Sequence, residues 1–141
     1  MANPNIVNVT SIYGNTAYVV PSTSVVTPSA ANGVTSWTHN GTTALTGLTP
    51  AVGSVNKIDS IIVTNTSASA VQATVAIGNN STFASATVLG YIAYQVSVPA
   101  NSALMVTDKT TTFYVTENQS VAVFSSTANN LTFVAAFEVI T

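Results

Sequence analysis

Charge is what this sequence has least of. Lys57, Lys109, Asp59, Asp108, Glu117 and Glu138 are its only ionised side chains, 4% of 141 residues, where an ordinary soluble domain carries about a quarter. Two lysines cannot neutralise a phosphate backbone, because affinity for nucleic acid comes from many Lys and Arg contacts. Nucleic-acid binding is therefore excluded as an expectation. Cysteine is absent altogether, which removes disulfides and thiolate metal sites and leaves the redox compartment open.

Long apolar runs are missing too. Hydrophobic residues make up 47% of the chain, yet no run approaches the roughly 18 to 20 residues of a spanning helix, so no membrane partner is expected. Met1-Ala2-Asn3-Pro4-Asn5 lacks the basic start and apolar stretch of a signal peptide, and the chain reads as soluble and unprocessed. Helix formers such as Leu, Glu, Lys and Gln are scarce, and no segment shows a 3.6-residue period.

What the chain has in abundance is Ser, Thr and Asn, together more than a third of its residues, alongside Val, Ile, Tyr and Phe. That mixture favours strands joined by hydrogen-bonding turns. In Val71 to Ile77 the odd positions are apolar; in Val88 to Val98 the even positions Val88, Ile92, Tyr94, Val96 and Val98 line up; and Leu131, Phe133, Ala135, Phe137 and Val139 repeat the pattern. Alternation of this kind marks half-buried strands. Shorter strands are expected over Ile58 to Asn65, Ala103 to Thr107, Thr112 to Val115 and Ser120 to Ser125, with breaks at Asn65-Thr66-Ser67, Gly78-Asn79-Asn80 and Pro99-Ala100-Asn101. Strands recurring every 8 to 12 residues or so predict a single-domain, all-β, antiparallel sandwich of jelly-roll type.

One domain over residues 1–141 divides into an N-terminal arm with strands (1–20), a Ser/Thr/Gly/Pro-rich loop (21–54) and the sandwich core (55–141). Within the arm, Ile6 to Tyr13 and Ala17 to Val20 can each form a strand. The loop alternates only around Val34 to Trp37 and is expected to carry one short hairpin. A loop this long normally contacts a partner or lacks order. Trp37, the only tryptophan, anchors it either to a partner or to its own sandwich.

Chemistry has little to work with. His39 is the sole histidine and lies in the turn-like Thr38-His39-Asn40-Gly41, with no carboxylate nearer in sequence than Asp59, whereas nucleophilic catalysis needs a base held beside its nucleophile and oriented by a third group. Lys57 and Asp59, two positions apart on one strand, are expected to pair across one face. Asp108 adjoins Lys109 in a turn, Glu117 precedes Asn118 at another, and Glu138 lies opposite the Phe137 face. No acidic cluster of the calcium-binding kind and no glycine-rich phosphate motif occurs. No enzyme activity, cofactor, metal or small-molecule substrate is expected.

Several phrases carry a resemblance. Met1-Ala2-Asn3-Pro4-Asn5-Ile6-Val7-Asn8-Val9-Thr10-Ser11-Ile12-Tyr13-Gly14 and Lys57-Ile58-Asp59-Ser60-Ile61-Ile62-Val63-Thr64-Asn65, followed by Val98-Pro99-Ala100-Asn101-Ser102-Ala103-Leu104, Asp108-Lys109, Tyr114 to Ser120 and Phe137-Glu138, resemble small virion structural proteins of tailed bacteriophages, especially those infecting marine cyanobacteria. The likeness spans most of the chain outside Pro21 to Pro50. It implies a β-sandwich built into the particle, decorating the capsid as an oligomer with the major capsid protein and copies of itself as partners, and located at the capsid surface. Alternatives are a tail, neck or fibre component, with Trp37, Tyr91 or Tyr94 as a sugar-stacking surface, and a self-assembling filament or surface-layer subunit. The residues expected at an interface are Ile6, Val7, Val9, Ile12, Tyr13 and Trp37. The N-terminal arm can add a strand to a neighbour's sheet or pair within its own.

Overall fold

The computed structural model describes residues 8–41, 43–83 and 88–141. Its strands are β1 (Ile12–Val19), β2 (Ser36–His39), β3 (Thr43–Thr46), β4 (Val55–Asn65), β5 (Val71–Gly78), β6 (Val88–Val98), β7 (Ser102–Thr107), β8 (Phe113–Val115), β9 (Ser120–Ser125) and β10 (Leu131–Ile140). They form two antiparallel sheets. The larger has seven strands in the order β3-β2-β1-β10-β4-β7, with β8 also paired to β4, and the smaller has three in the order β6-β5-β9. The chain is thus an all-β sandwich.

Alternation builds the core. Leu131, Phe133, Ala135 and Phe137 of β10 and Ile58, Ile61 and Val63 of β4 point inward, where they meet Val71, Ala73 and Val75 of β5 and Val121 and Val123 of β9, all fully or almost fully buried. Each Val, Leu, Ile or Phe among them contributes about 1.5–3 kcal/mol on leaving water. A bulge between Ala136 and Phe137 offsets the β10–β4 register and keeps both Ile58 and Ile61 inward although they are three residues apart. At one end Asn65, 1% exposed, ties both sheets together: its amide donates to the carbonyls of Ser69, Val98 and Pro99, while its Oδ1 accepts from the Ser67 amide and hydroxyl.

The structure departs from the sequence expectations at three places. In the arm, the expected strands Ile6 to Tyr13 and Ala17 to Val20 leave Gly14 to Thr16 between them, but β1 runs unbroken through these three residues, because all eight of its positions pair with β10 from Ile12–Ile140 to Val19–Phe133. In β6, simple alternation fails. The β5–β6 register shifts three times, and Gln95 takes a left-handed backbone at φ 49°, its amide donating to Thr74 Oγ1 at 2.8 Å. Each inserted residue turns the following side chains to the other face. Tyr94 consequently leaves the face of Ile92 and packs edge-on against Tyr91, 4.6 Å between ring centroids, with both rings exposed.

The third departure concerns residues 21–54. The β2–β3 hairpin is there, with Trp37 opposite Leu45, but the preceding stretch lies along the small sheet. Val25 N donates to Ser125 O, Val34 and Val123 exchange two hydrogen bonds, and Val121 N donates to Gly47 O, so this segment satisfies the free edge of β9. Val25 and Ala30 also cover the outer face of the small sheet, where, with Phe83, they bury Ala76, Ala122 and Phe124 in a second hydrophobic cluster. Phe83 and Phe124 meet edge-on at 6.1 Å. Two glycines make the close approach possible: a Cβ on Gly33 would lie 2.8 Å from Ala122 Cβ, and Gly47, at φ 62°, would press a Cβ into Ser120.

Candidate functional site

Local sequence places the ionisable groups: three of the charged side chains meet one another, and others bond neutral partners. Lys57 and Glu138 are directly opposite on β4 and β10, and Asp59 follows at the bulge. Lys57 Nζ lies 3.0 Å from Asp59 Oδ1 and 3.1 Å from Glu138 Oε2. The expected Lys57–Asp59 pair is therefore present and gains a third member from the C-terminal strand. Hydrogen bonding to Asp59 and then to Glu138 raises the Lys57 pKa above its ordinary value. Asp108 caps its own turn, accepting from Thr110 Oγ1 at 2.6 Å and Thr110 N at 2.8 Å, contacts that lower its pKa. Glu117 Oε2 accepts from Gly53 N at 3.2 Å. Among the described residues there is no group of three or more His, Cys, Asp and Glu side chains placed to hold a metal.

His39 corrects its sequence assignment: it lies in β2 and not in a loop. Its ring is half-buried, tilted over Phe137 at 6.1 Å, and Nδ1–H donates to Thr16 O at 3.1 Å, the carbonyl being able only to accept. It belongs to a cleft of about 210 Å³ at the end of the large sheet's inner face, floored by Tyr13, Asn15, His39, Asn56, Phe137 and Val139 and walled by Thr49, Pro50, Ala51 and Ser54. The lining carries no ionised side chain. Asn56 Nδ2 donates to Leu48 O at 2.8 Å, while its buried Oδ1 has no partner. Such a cleft can accommodate water or a small neutral group; it lacks the paired acid and base of a hydrolytic site.

The outer face of the large sheet is a different kind of surface. Residues directly opposite in a ladder share a face, so Tyr18, Val134, Ile62 and Met105 form one continuous row across β1, β10, β4 and β7. Tyr18 and Met105 are 43% and 57% exposed. On one side of this row lie Thr16, Ala136 and Ser60, and on the other Thr132, Thr64 and Ala103. The Lys57–Asp59–Glu138 cluster stands beyond the first of these, near Tyr114. No described segment forms a hydrophobic cluster over this face.

The residues expected at an interface separate sharply. Ile6 and Val7 lie outside the described residues. Val9 is half-buried just before β1. Ile12 and Tyr13 are exposed side chains on backbone already paired to Ile140 and Val139, so for these two residues the arm pairs within its own sandwich. Trp37 is a correction: it is fully buried, its indole Nε1 donates to Val121 O at 3.3 Å, and it holds the hairpin on the core instead of facing a partner or a sugar. Of the three aromatics considered for stacking, Tyr91 and Tyr94 remain at the surface. Sequence reasoning missed the row of Tyr18, Val134, Ile62 and Met105, whose signal was the apolar second phase of β10 and β4; only the registers reveal that the four align.

No protein-family model and no curated protein matches the chain.

Proposed function

We propose that this protein is a non-enzymatic structural subunit of a bacteriophage particle that decorates or stabilises the capsid by packing on the major capsid lattice. The observation that carries this reading is the economy of charge on its surface. Three of six charged side chains are gathered in a single ion-paired cluster and a fourth caps its own turn, so the exterior is left largely to Ser, Thr, Asn and exposed apolar side chains such as Tyr18, Met105 and Tyr114. Charged groups are depleted at the centres of protein interfaces because they cost desolvation, whereas hydroxyls and amides form hydrogen bonds there at less cost. Repetition by symmetry turns modest contacts of this kind into strong overall attachment. The resemblance to small phage virion proteins supports the same reading.

Binding to assembled empty shells tests it. The protein should bind saturably at hundreds of copies per particle, and particles lacking it should lose thermal or osmotic stability. Failure to bind shells, together with unchanged stability of particles without it, would remove the proposal. The Tyr91–Tyr94 pair favours a second reading, a tail, neck or fibre component that stacks sugars. About a dozen copies per particle and a positive glycan array would select it.

A further inference from the structure

We infer that the outer face of the large sheet is a two-fold interface between copies of this chain. The inference deepens the structural role proposed above and rests on it only in treating this surface as one made for protein contact.

Two features of the face specify a second copy as its occupant. First, it is self-matching. Two sheets pack face to face about 10 Å apart with their strands nearly aligned. A two-fold axis along the Tyr18–Val134–Ile62–Met105 row sets each of these residues over its counterpart. The Thr16–Ala136–Ser60 row of one copy then lies over the Thr132–Thr64–Ala103 row of the other, so small uncharged side chains meet small uncharged side chains. Second, the arrangement leaves charge where water remains. The Lys57–Asp59–Glu138 cluster lies two rows from the axis, so the clusters of the two copies fall at opposite rims, and neither ion cluster is desolvated.

The area supports a reversible pair. Strands spaced about 4.8 Å apart across β2, β1, β10, β4 and β7 span roughly 24 Å, and three rows about 6.7 Å apart span roughly 20 Å. The product is on the order of 500 Å² per copy, or about 1,000 Å² in all, the lower end of specific interfaces. A dimer that forms and dissociates reversibly is expected, its affinity set by how well the rows pack as well as by area.

Sedimentation of the full chain from about 1 to 500 µM, with hydrogen peroxide oxidation of Met105 followed in parallel, tests the inference. The expected result is a monomer–dimer equilibrium in which Met105 oxidation slows as dimer accumulates. Met105→Lys, a change at a side chain exposed in the monomer, should weaken dimerisation about tenfold or more, while Tyr91→Lys should leave it unchanged. A monomer throughout, a trimer or larger ring, or a dimer that leaves Met105 as reactive as in a peptide would overturn the inference. So would Met105 protected at every concentration, which would mean that the chain covers this face itself. A chain that dimerises in this way yet ignores capsids retains the interface and loses the capsid role; a monomer that saturates capsids does the reverse.

Discussion

The two outer faces of this sandwich carry similar material and meet different fates. On the small sheet, Ala76, Ala122 and Phe124 are buried beneath Val25, Ala30 and Phe83. On the large sheet, Tyr18, Val134, Ile62 and Met105 form an apolar row with no such cluster above it among the described residues. The covered face contributes to the stability of the monomer. The open face contributes less to it, because Tyr18 and Met105 stay 43% and 57% exposed in the folded chain and so gain only part of the stabilisation of full burial. Apolar surface on an outer face thus has two outlets, a cover from the same chain or a cover from another, and these leave opposite signatures in mutant stability.

The largest effect is expected under the cover. Phe124→Ala should cost about 3–5 kcal/mol in denaturant unfolding, the usual range for a buried aromatic cut to alanine; a cost below about 1 kcal/mol would mean that the second cluster is not a core. Gly33→Ala comes next. Its Cβ would lie 2.8 Å from Ala122 Cβ and 2.9 Å from the Phe83 ring, and overpacking of this kind costs about 1–3 kcal/mol. On the open face Met105→Ser should change monomer stability by no more than about 0.5 kcal/mol, measured well below the dimerisation range.

The covered face was poorly legible in the sequence, and the reason is physical. Period-2 alternation reports a residue's side of a strand, so β9 appeared at its observed limits of Ser120–Ser125 and β10 with its inward residues correct. Val25 and Ala30 reach the small sheet from irregular backbone, where burial leaves no period. Trp37 was visible as an anchor, but which body it anchored to depended on the Val121 carbonyl, 84 residues away. In β6 the pattern misled because Gln95 adopts φ 49°, a conformation uncommon for glutamine and unmarked by any glycine. The open face was half legible: Thr132, Val134 and Ala136, the alternate positions of β10, are small or apolar, but the alignment of Val134 with Ile62 and Met105 is a matter of register.

The smallest effects concern charge. Asp108 has a lowered pKa in the folded chain, first through the Thr110 hydroxyl and then the Thr110 amide. Its contribution is present above the unfolded carboxylate value of about 3.9 and lost as pH falls through the lower folded value. Asp108→Asn should therefore flatten slightly the acid limb of a stability–pH profile. Lys57 behaves in the opposite sense: raised by Asp59 and Glu138, it contributes fully below the unfolded lysine value of about 10.4 and loses that contribution as pH rises through the folded value. Lys57→Met should remove a small loss of stability at strongly alkaline pH.

If the open face of the large sheet is closed by protein contact, its side chains lose solvent access on assembly. Hydroxyl-radical footprinting of the protein free at low concentration and bound to capsid shells tests it most directly. Tyr18 and Met105 should become protected on assembly while Tyr91 and Tyr94 continue to react. Protection of Tyr91 and Tyr94 with Tyr18 and Met105 still reactive would contradict it.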